Sequence, residues 1–176
     1  MIKIELEELD KYQIGKDDID FYKKYIKEIR DAMERPEFLG EFTEDELEHF
    51  LDNNSYIYFY RYHDNIVSTS MLIPAEERDI RDFGLDIDYQ KVVDYGPEVV
   101  GKPYRGNGLQ GYMIEDIEKI AKSLGYEYAI TSVHPDNEPS SSNLIKHGFE
   151  LVGFKEFERG PRNIYLKEFY IPLLDL

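Results

Sequence analysis

A glycine-rich segment carries the clearest chemical pattern in this chain. It reads Arg105-Gly-Asn-Gly-Leu-Gln-Gly111 and stands between a predicted strand and a predicted helix. Glycines at such a place allow a tight turn and bring successive backbone N–H groups toward a ligand. The start of the helix adds a partial positive charge, and Arg105 and Lys102 add full ones. The segment should therefore hold an anion such as a pyrophosphate.

Three other interpretations of the segment have to be weighed. Gly106, Gly108 and Gly111 fit the G-x-G-x-x-G spacing of dinucleotide-binding folds. Against that fold, Lys102-Pro-Tyr-Arg separates the glycines from the strand, and the next strand lacks an acidic residue at its end to hold a ribose. Too little chain follows for a doubly wound sheet. A P-loop is excluded because no Gly-Lys-Ser/Thr follows. Taken alone, the segment is equally compatible with a glycine turn that binds nothing.

Hydrophobic periodicity predicts the elements that must position this turn. The predicted strands span residues 2–8, 56–62, 66–73, 98–100, 126–133, 149–157 and 163–171, and the predicted helices span 17–34, 43–53, 109–124 and 137–147. Thr43 and Glu46 form a capping-box pattern, and Asn137 stands where it could cap the last helix. Residues 75–91 show no clear pattern. The order predicts one α/β (α+β) domain over residues 1–176, with a mixed, mostly antiparallel sheet and helices on both faces.

Composition excludes several classes of function. The 176 residues contain no cysteine, so disulfides, thiolate metal sites and a cysteine nucleophile are excluded. His49, His63 and His147 lack metal-ligand spacing, which predicts no metal. The net charge of −16 without clustered Lys and Arg argues against nucleic acid. No apolar run suggests a signal peptide or a membrane span, so we expect a cytoplasmic protein with no membrane partner. The acidity serves solubility, or it attracts a cationic amine.

Two more segments accompany the turn. Val133-His-Pro-Asp-Asn137 follows a strand, and Ser140-Ser-Ser-Asn-Leu-Ile-Lys-His-Gly-Phe149 is a short helix stopped by Gly-Phe. Together with Val100-Gly-Lys-Pro-Tyr-Arg-Gly-Asn-Gly108, their order and spacing resembles the GNAT superfamily of acetyl-CoA-dependent N-acetyltransferases. The match is specific over about residues 98–150 and weaker over the N-terminal half, which in this superfamily shapes the acceptor pocket. The resemblance implies acetyl-CoA as co-substrate and an amine acceptor, and it leaves the assembly state open, a homodimer included.

The resemblance also implies residue roles. The pyrophosphate would be held by Arg105 and by the backbone of Gly106, Asn107, Gly108, Leu109, Gln110 and Gly111. Val100 would pair with pantetheine through its backbone, and Asn137 and Ser140 would contact the cofactor at the next helix. The segments 98–101 and 126–133 would be two central parallel strands, splayed so that the cofactor enters between them. Gln110 stands where the superfamily often has Gly or Ala, a change that a backbone contact should tolerate.

Acetyl transfer to an amine needs the free amine, a polarised thioester carbonyl and a route for one proton. Glu98 is the first candidate base, because on a regular strand it shares a face with Val100. It could equally be an exposed residue after Gly96-Pro97. His134, at the end of a strand, is the second candidate, or else a hydrogen-bonding loop residue.

Many superfamily members carry a Tyr four residues before Gly-Phe as the acid for the leaving thiolate. Leu144 occupies that position here, so another group or solvent must protonate the thiolate. The sequence thus predicts an N-acetyltransferase that acts by direct transfer. Leu144 favours the alternative, an acyl-CoA-binding sensor with the same fold. A nicotinamide-dependent oxidoreductase is a third hypothesis.

Overall fold

The computed structural model describes residues 1–170. The strands are β1 (Leu9–Gln13), β2 (Tyr56–Tyr62), β3 (Asn65–Pro74), β4 (Val92–Tyr95), β5 (Val99–Val100), β6 (Tyr128–Val133), β7 (Glu150–Phe157) and β8 (Gly160–Glu168). The α-helices are α1 (Ile19–Asp31), α2 (Glu44–Asp52), α3 (Glu77–Asp82), α4 (Leu109–Ser123) and α5 (Glu138–Lys146). None of these helices is both long and apolar enough to cross a membrane.

The strands form one mixed sheet. Its order is β1-β2-β3-β4-β6-β8-β7, with β5 paired to β3. Every pairing is antiparallel except that of β4 with β6, which is parallel. The predicted fold, a mostly antiparallel sheet with a central parallel pair, is confirmed.

Helices cover both faces of the sheet, as the alternating strand residues require. On β2, Ile57 and Phe59 point toward α1 and α2, whereas Tyr58 and Tyr60 point toward α4. The α4–α5 face also buries alternate residues of the parallel pair, namely Val93, Tyr95, Ala129 and Val133. The opposite face packs Val92 and Ile130 against α3. Each face of the sheet therefore takes one of the two alternating sets of side chains.

The central strands separate after a short parallel ladder. The paired residues are 92–94 of β4 and 128–130 of β6. One side-chain bond, from Thr131 Oγ1 to the carbonyl of Tyr95 (2.6 Å), continues the contact. The chain then passes Gly96-Pro97 and resumes as β5, which pairs with β3 alone. The expected gap is present, but the parallel pairing belongs to 92–94 and not to 98–101 as predicted.

The predicted strand at 2–8 is wrong. The N-terminal segment packs against β2 and α4 and does not pair with a neighbouring strand among the described residues. Leu6–Glu8 form a 3-10 turn, and the edge strand follows as β1. Ile4 is instead buried with Tyr58, Tyr60 and α4. Residues 75–91, which had no prediction, contain α3 and a 3-10 turn.

Most other boundaries agree with the sequence to within a few residues. The capping box of α2 forms, with Thr43 Oγ1 accepting from Glu46 N (3.2 Å) and Glu46 Oε2 accepting from Thr43 N (2.8 Å). Asn137 occupies the N-cap of α5, but its side chain makes no capping hydrogen bond. The predicted last strand, 163–171, begins and ends earlier as β8, and Ile171 lies outside the described residues.

Candidate active site

The glycine turn presents unused backbone donors at the start of α4. Gly106 and Gly108 have φ values of +85° and +77°, a region that favours glycine. The first intrahelical bond runs from Tyr112 N to Gly108 O (3.0 Å), so the N–H groups of Leu109, Gln110 and Gly111 have no acceptor within the helix. A side chain at Gly108 would meet nothing within 4 Å. Its backbone is thus open to a ligand, and an anion at this helix end is favoured.

Not every residue of the turn faces that open side. The Asn107 side chain accepts from Ile4 N (3.1 Å) and donates to the carbonyls of Ile2 and Tyr104 (both 2.8 Å). Asn107 thus ties the N-terminal segment to the turn. At Gly111 a Cβ would lie 2.9 Å from the His147 ring, so this glycine permits α4 to pack closely on α5. Asn107 and Gly111 therefore each have a structural role that their spacing in the sequence did not indicate.

Arg105 and Val100 lie together beside the gap. Arg105 Nε donates to the carbonyl of Val100 at 3.3 Å, and Arg105 is exposed. The bond from Gly101 N to Val67 O (2.9 Å) makes Ser68 and Val100 a non-hydrogen-bonded pair. The N–H and C=O of Val100 therefore point away from β3, toward the gap. An extended chain in the gap could pair with that backbone.

The carboxyl group of Glu98 belongs to a polar network at the start of α4. Gln110 Nε2 approaches Glu98 Oε2 at 3.5 Å and donates to Ser140 Oγ at 3.0 Å, and Gln110 Oε1 accepts from Asn143 Nδ2 at 2.8 Å. Glu98 Oε1 is buried without a hydrogen-bond partner in the described residues. Burial raises the pKa of Glu98 to about 8, against a smaller lowering by the Gln110 amide. The result is a carboxyl group that exchanges protons near neutral pH.

A large cavity adjoins this network. Its volume is about 710 Å³, and it extends from Gln110, Asn137 and Ser140 on one side to Phe38 and Phe50 on the other. Glu98 and Asp94 both line it. Burial raises the pKa of Asp94 to about 7; the nearby Asp79 adds to the rise and Arg159 opposes it. The cavity thus joins the α4–α5 side of the gap to the side covered by α1–α3.

His134 and Leu144 differ in their relation to the cavity. His134 is not among its lining residues; its ring packs on Phe38 (centroids 4.9 Å apart), and Nδ1 accepts from Asp136 N at 3.2 Å. Leu144 lines the cavity but is buried in the core between α4, α5 and β6. Among residues 1–170, no group of three or more His, Cys, Asp or Glu could hold a metal ion.

The amino-acid sequence matches a known protein family. The profile of the Acetyltransferase (GNAT) family matches residues 23–149, which is most of the chain. This chain belongs to the GNAT acetyltransferase family. Comparison with curated protein sequences gave no match.

Solved structures share the GNAT fold at low sequence identity. A GNAT-family acetyltransferase from Streptococcus pneumoniae is 18% identical, with a TM-score of 0.69 over 92% of this chain and 100% of that chain. An N-acetyltransferase from Staphylococcus aureus Mu50 is 15% identical, with a TM-score of 0.69 over 91% of this chain and 98% of that chain. A Salmonella typhimurium protein solved with its cofactor acetyl-CoA is 9% identical, with a TM-score of 0.67 over 92% and 94% of the two chains.

Sequence reasoning missed two features of this GNAT site. Gln110 was expected to act only through its backbone, yet its side chain joins Glu98 to α5. An amide at a position where the family often has Gly or Ala was the available signal. The two arginines of the β7–β8 hairpin, Arg159 and Arg162, also line the cavity. They follow the last motif, which ends at Phe149, and belong to none of the motifs, so no spacing pattern pointed to them.

Proposed function

We propose that this GNAT-family protein transfers an acetyl group from acetyl-CoA directly to a primary amine of a small molecule or peptide. The observation that carries the proposal is Glu98, a buried carboxyl group with an unpartnered oxygen. It stands where the gap between β5 and β6 meets a cavity large enough for an acceptor. Cavities that hold small ligands have volumes of roughly 300–1,000 Å³.

The glycine turn and the gap fit the two ends of the co-substrate. In the proposal, the pyrophosphate lies against Arg105 and the free N–H groups from Gly106 to Gly111. The pantetheine arm pairs with the backbone of Val100, and Asn137 and Ser140 border it from α5. Asn107 contributes through its backbone, because its side chain is engaged by the N-terminal segment. The arm would thereby be guided toward Glu98.

Glu98 supplies the proton route for the acceptor. The thioester supplies the acetyl group, and the attacking nitrogen must first be free of its ammonium proton. Glu98 accepts this proton directly or through one water, and Gln110 keeps the carboxylate oriented by its contacts with Ser140 and Asn143. Leu144 cannot donate a proton to the departing sulfur, so solvent in the cavity does so. His134, which packs against Phe38 beside the cavity, is the second candidate for the base.

Binding measurements test the cofactor half of the proposal. Titration calorimetry should show binding of acetyl-CoA and much weaker binding of acetyl-pantetheine, which lacks the pyrophosphate. Equal affinity for NAD would overturn the assignment. Intact-mass measurement after incubation with acetyl-CoA alone tests direct transfer. The protein should stay unmodified, whereas a stoichiometric acetyl adduct would show a covalent intermediate.

A further inference from the structure

Two arginines of the β7–β8 hairpin face the cavity without acidic partners. Arg162 is only 3% exposed, and its guanidinium donates to the carbonyl oxygens of Pro161 (2.7 Å) and Glu37 (2.9 Å). Arg159 lies over the Phe157 ring, 5.6 Å from its centroid. Within residues 1–170, no carboxylate lies within 4.0 Å of either guanidinium.

The lack of a partner matters for Arg162 because of its burial. Arg81 and Arg105 also have no carboxylate within 4.0 Å, but they are exposed, whereas Arg162 is the only buried arginine or lysine among the described residues. The chain has 37 acidic and 21 basic side chains, so carboxylates are plentiful. Burying a cation without a counter-charge is costly, and a second cation nearby increases the cost. Burial, followed by the charge of Arg159, lowers the pKa of Arg162, and the smaller opposing effect of the Glu37 charge does not offset them. A bound anion would remove this penalty, and the planar guanidinium group matches a carboxylate in shape.

The acidic residues on the same cavity wall do not supply that counter-charge. Arg78 contacts Glu76 at 3.4 Å and Asp79 at 3.9 Å, so these acids are already engaged with another cation. Asp94 lies on the same sheet face as Arg162 by strand parity, but its pKa near 7 leaves it only partly ionised at neutral pH. Glu77 and Glu98 also line the cavity, but no carboxylate of the described residues pairs with either hairpin arginine. Arg159 and Arg162 therefore form a positive patch on one wall of the cavity.

We propose that the acceptor is an amino acid or a similar small amine that carries a carboxylate, and that Arg162 and Arg159 bind this carboxylate. The inference rests on the proposed acetyl transfer and specifies its substrate class. Arg162 holds the carboxylate on the α1–α3 side of the sheet, and the amine of the same molecule reaches the gap beside Glu98. The overall acidity favours a purely cationic amine such as a polyamine, but Arg159 and Arg162 would repel one.

Matched acceptor pairs test the proposal with the wild-type protein. Each of the common amino acids is compared with its amide and with its decarboxylated amine, and CoA release is measured at a fixed acetyl-CoA concentration. At least one free acid should be acetylated with a kcat/KM about 10- to 100-fold above that of its amide, because the amide lacks the charge-assisted bond. Comparable rates for acid, amide and amine would overturn the inference and leave the acetyltransferase proposal standing.

Variants of the two hairpin arginines test whether these residues cause the preference for the acid over the amide. Arg159→Gln and Arg162→Gln should each reduce the acid-over-amide preference at least about tenfold, mainly through KM. Arg81→Gln, an exposed arginine of α3 outside the cavity lining, is the matched control and should leave the preference unchanged. If Arg162→Gln fails to fold, the exposed Arg159 still decides the matter. A full preference in Arg159→Gln, or in a folded Arg162→Gln, would contradict the assignment.

A binding readout separates this inference from catalysis. An N-acetyl amino acid, the expected product, should raise the melting temperature of the protein in the presence of CoA, and its amide should not. Equal shifts with the acid and the amide, or no shift with either, would count against an anion subsite. Absence of acetyl-CoA binding would instead defeat the proposed function itself.

Discussion

At the scale of single residues, Glu98 is shaped by competing surroundings. Burial disfavours its charged form, while the Gln110 amide stabilises it, and the balance leaves a pKa of about 8. The ionised fraction of Glu98, which is minor at neutral pH and grows as the pH rises toward 8, can take a proton from an ammonium ion and return it to solvent. An ordinary surface glutamate would be too weak a base for this exchange.

Glu98→Gln should lower turnover by roughly 10²–10⁴-fold at neutral pH, because glutamine keeps the shape of the side chain but accepts no proton. The loss should shrink at high pH, where more of the amine is already free. Acetyl-CoA affinity, measured by calorimetry, should hardly change. Glu150→Gln, at an exposed position at the start of β7, serves as the control. Wild-type turnover at every pH would remove Glu98 from the mechanism and shift the role to His134.

The same variant has a second signature in stability. Glu98 has a raised pKa only in the folded protein, so between about pH 4.5 and 8 the folded state retains a proton that the unfolded state has lost. Wild-type stability therefore falls as the pH rises through this window, by about 1.4 kcal/mol per pH unit from this group. Glu98→Gln lacks this loss. In urea unfolding it should match the wild type near pH 4 and exceed it increasingly up to pH 8; a constant difference would contradict the raised pKa.

At the scale of elements, the two ends of α4 allow a controlled test of the glycine turn. Gly108 precedes the helix and Gly125 follows it; both have positive φ values (+77° and +89°), and a Cβ added at either position would have no other atom within 4 Å. Valine at either position should strain the backbone by about 1–2 kcal/mol. Only Gly108→Val should also reduce acetyl-CoA affinity, by at least about tenfold, because its Cβ would stand in the path of the phosphate. Equal affinities of the two variants in calorimetry would mean that the turn has no binding role.

Helix α5 offers a second matched pair. Leu144 is 2% exposed in the core, whereas its neighbour Ile145 is 60% exposed. Leu144→Ala should cost roughly 2–5 kcal/mol of unfolding free energy, and Ile145→Ala should cost less than about 0.5 kcal/mol. Folded Leu144→Ala should retain most of its turnover. A large loss of turnover at an unchanged melting temperature would instead assign Leu144 a direct part in the chemistry.

The elements also show how far the sequence could lead. Periodicity located α4 because the helix has one apolar face, and the Thr43–Glu46 pattern located the start of α2. The continuous apolar and aromatic run of β2 located that strand, both faces of which are buried. Periodicity failed at residues 2–8, where alternation is real but Ile4 is buried by tertiary contacts with α4. Local pattern could not show that the parallel pairing begins at Val92, because strand pairing is decided by partners far along the chain.

The sequence pointed to some residues of the candidate site and not to others. The glycine turn and Glu98 are short-range features, so their residue types and spacing were informative. The contact of Gln110 with Glu98 depends on how α4 lies against the gap. Arg162 comes from the last hairpin and meets Glu37 from the α1–α2 connection, 125 residues away in sequence. Such a meeting exists only in the folded molecule.

At the scale of the whole molecule, arginines stand at both ends of the proposed path of the substrates. The net charge is −16, yet Arg105 and the α4 N-terminus lie at one end of the proposed path, and Arg159 and Arg162 line the cavity at the other. Glu98 lies between them. This layout suits an anionic co-substrate entering from one side and an acceptor from the other, with proton transfer at the point where they meet.

The most direct test of the proposed acetyl transfer is a turnover assay that follows both products. Purified protein is incubated with acetyl-CoA and a panel of amino acids, polyamines, aminoglycosides and peptides, and free CoA thiol is measured together with the mass of the acceptor. Thiol release should depend on one class of amine and equal the amount of N-acetylated product, and both should fall together in Glu98→Gln. Tight acetyl-CoA binding with no transfer to any amine would contradict the proposal and would identify an acyl-CoA sensor instead.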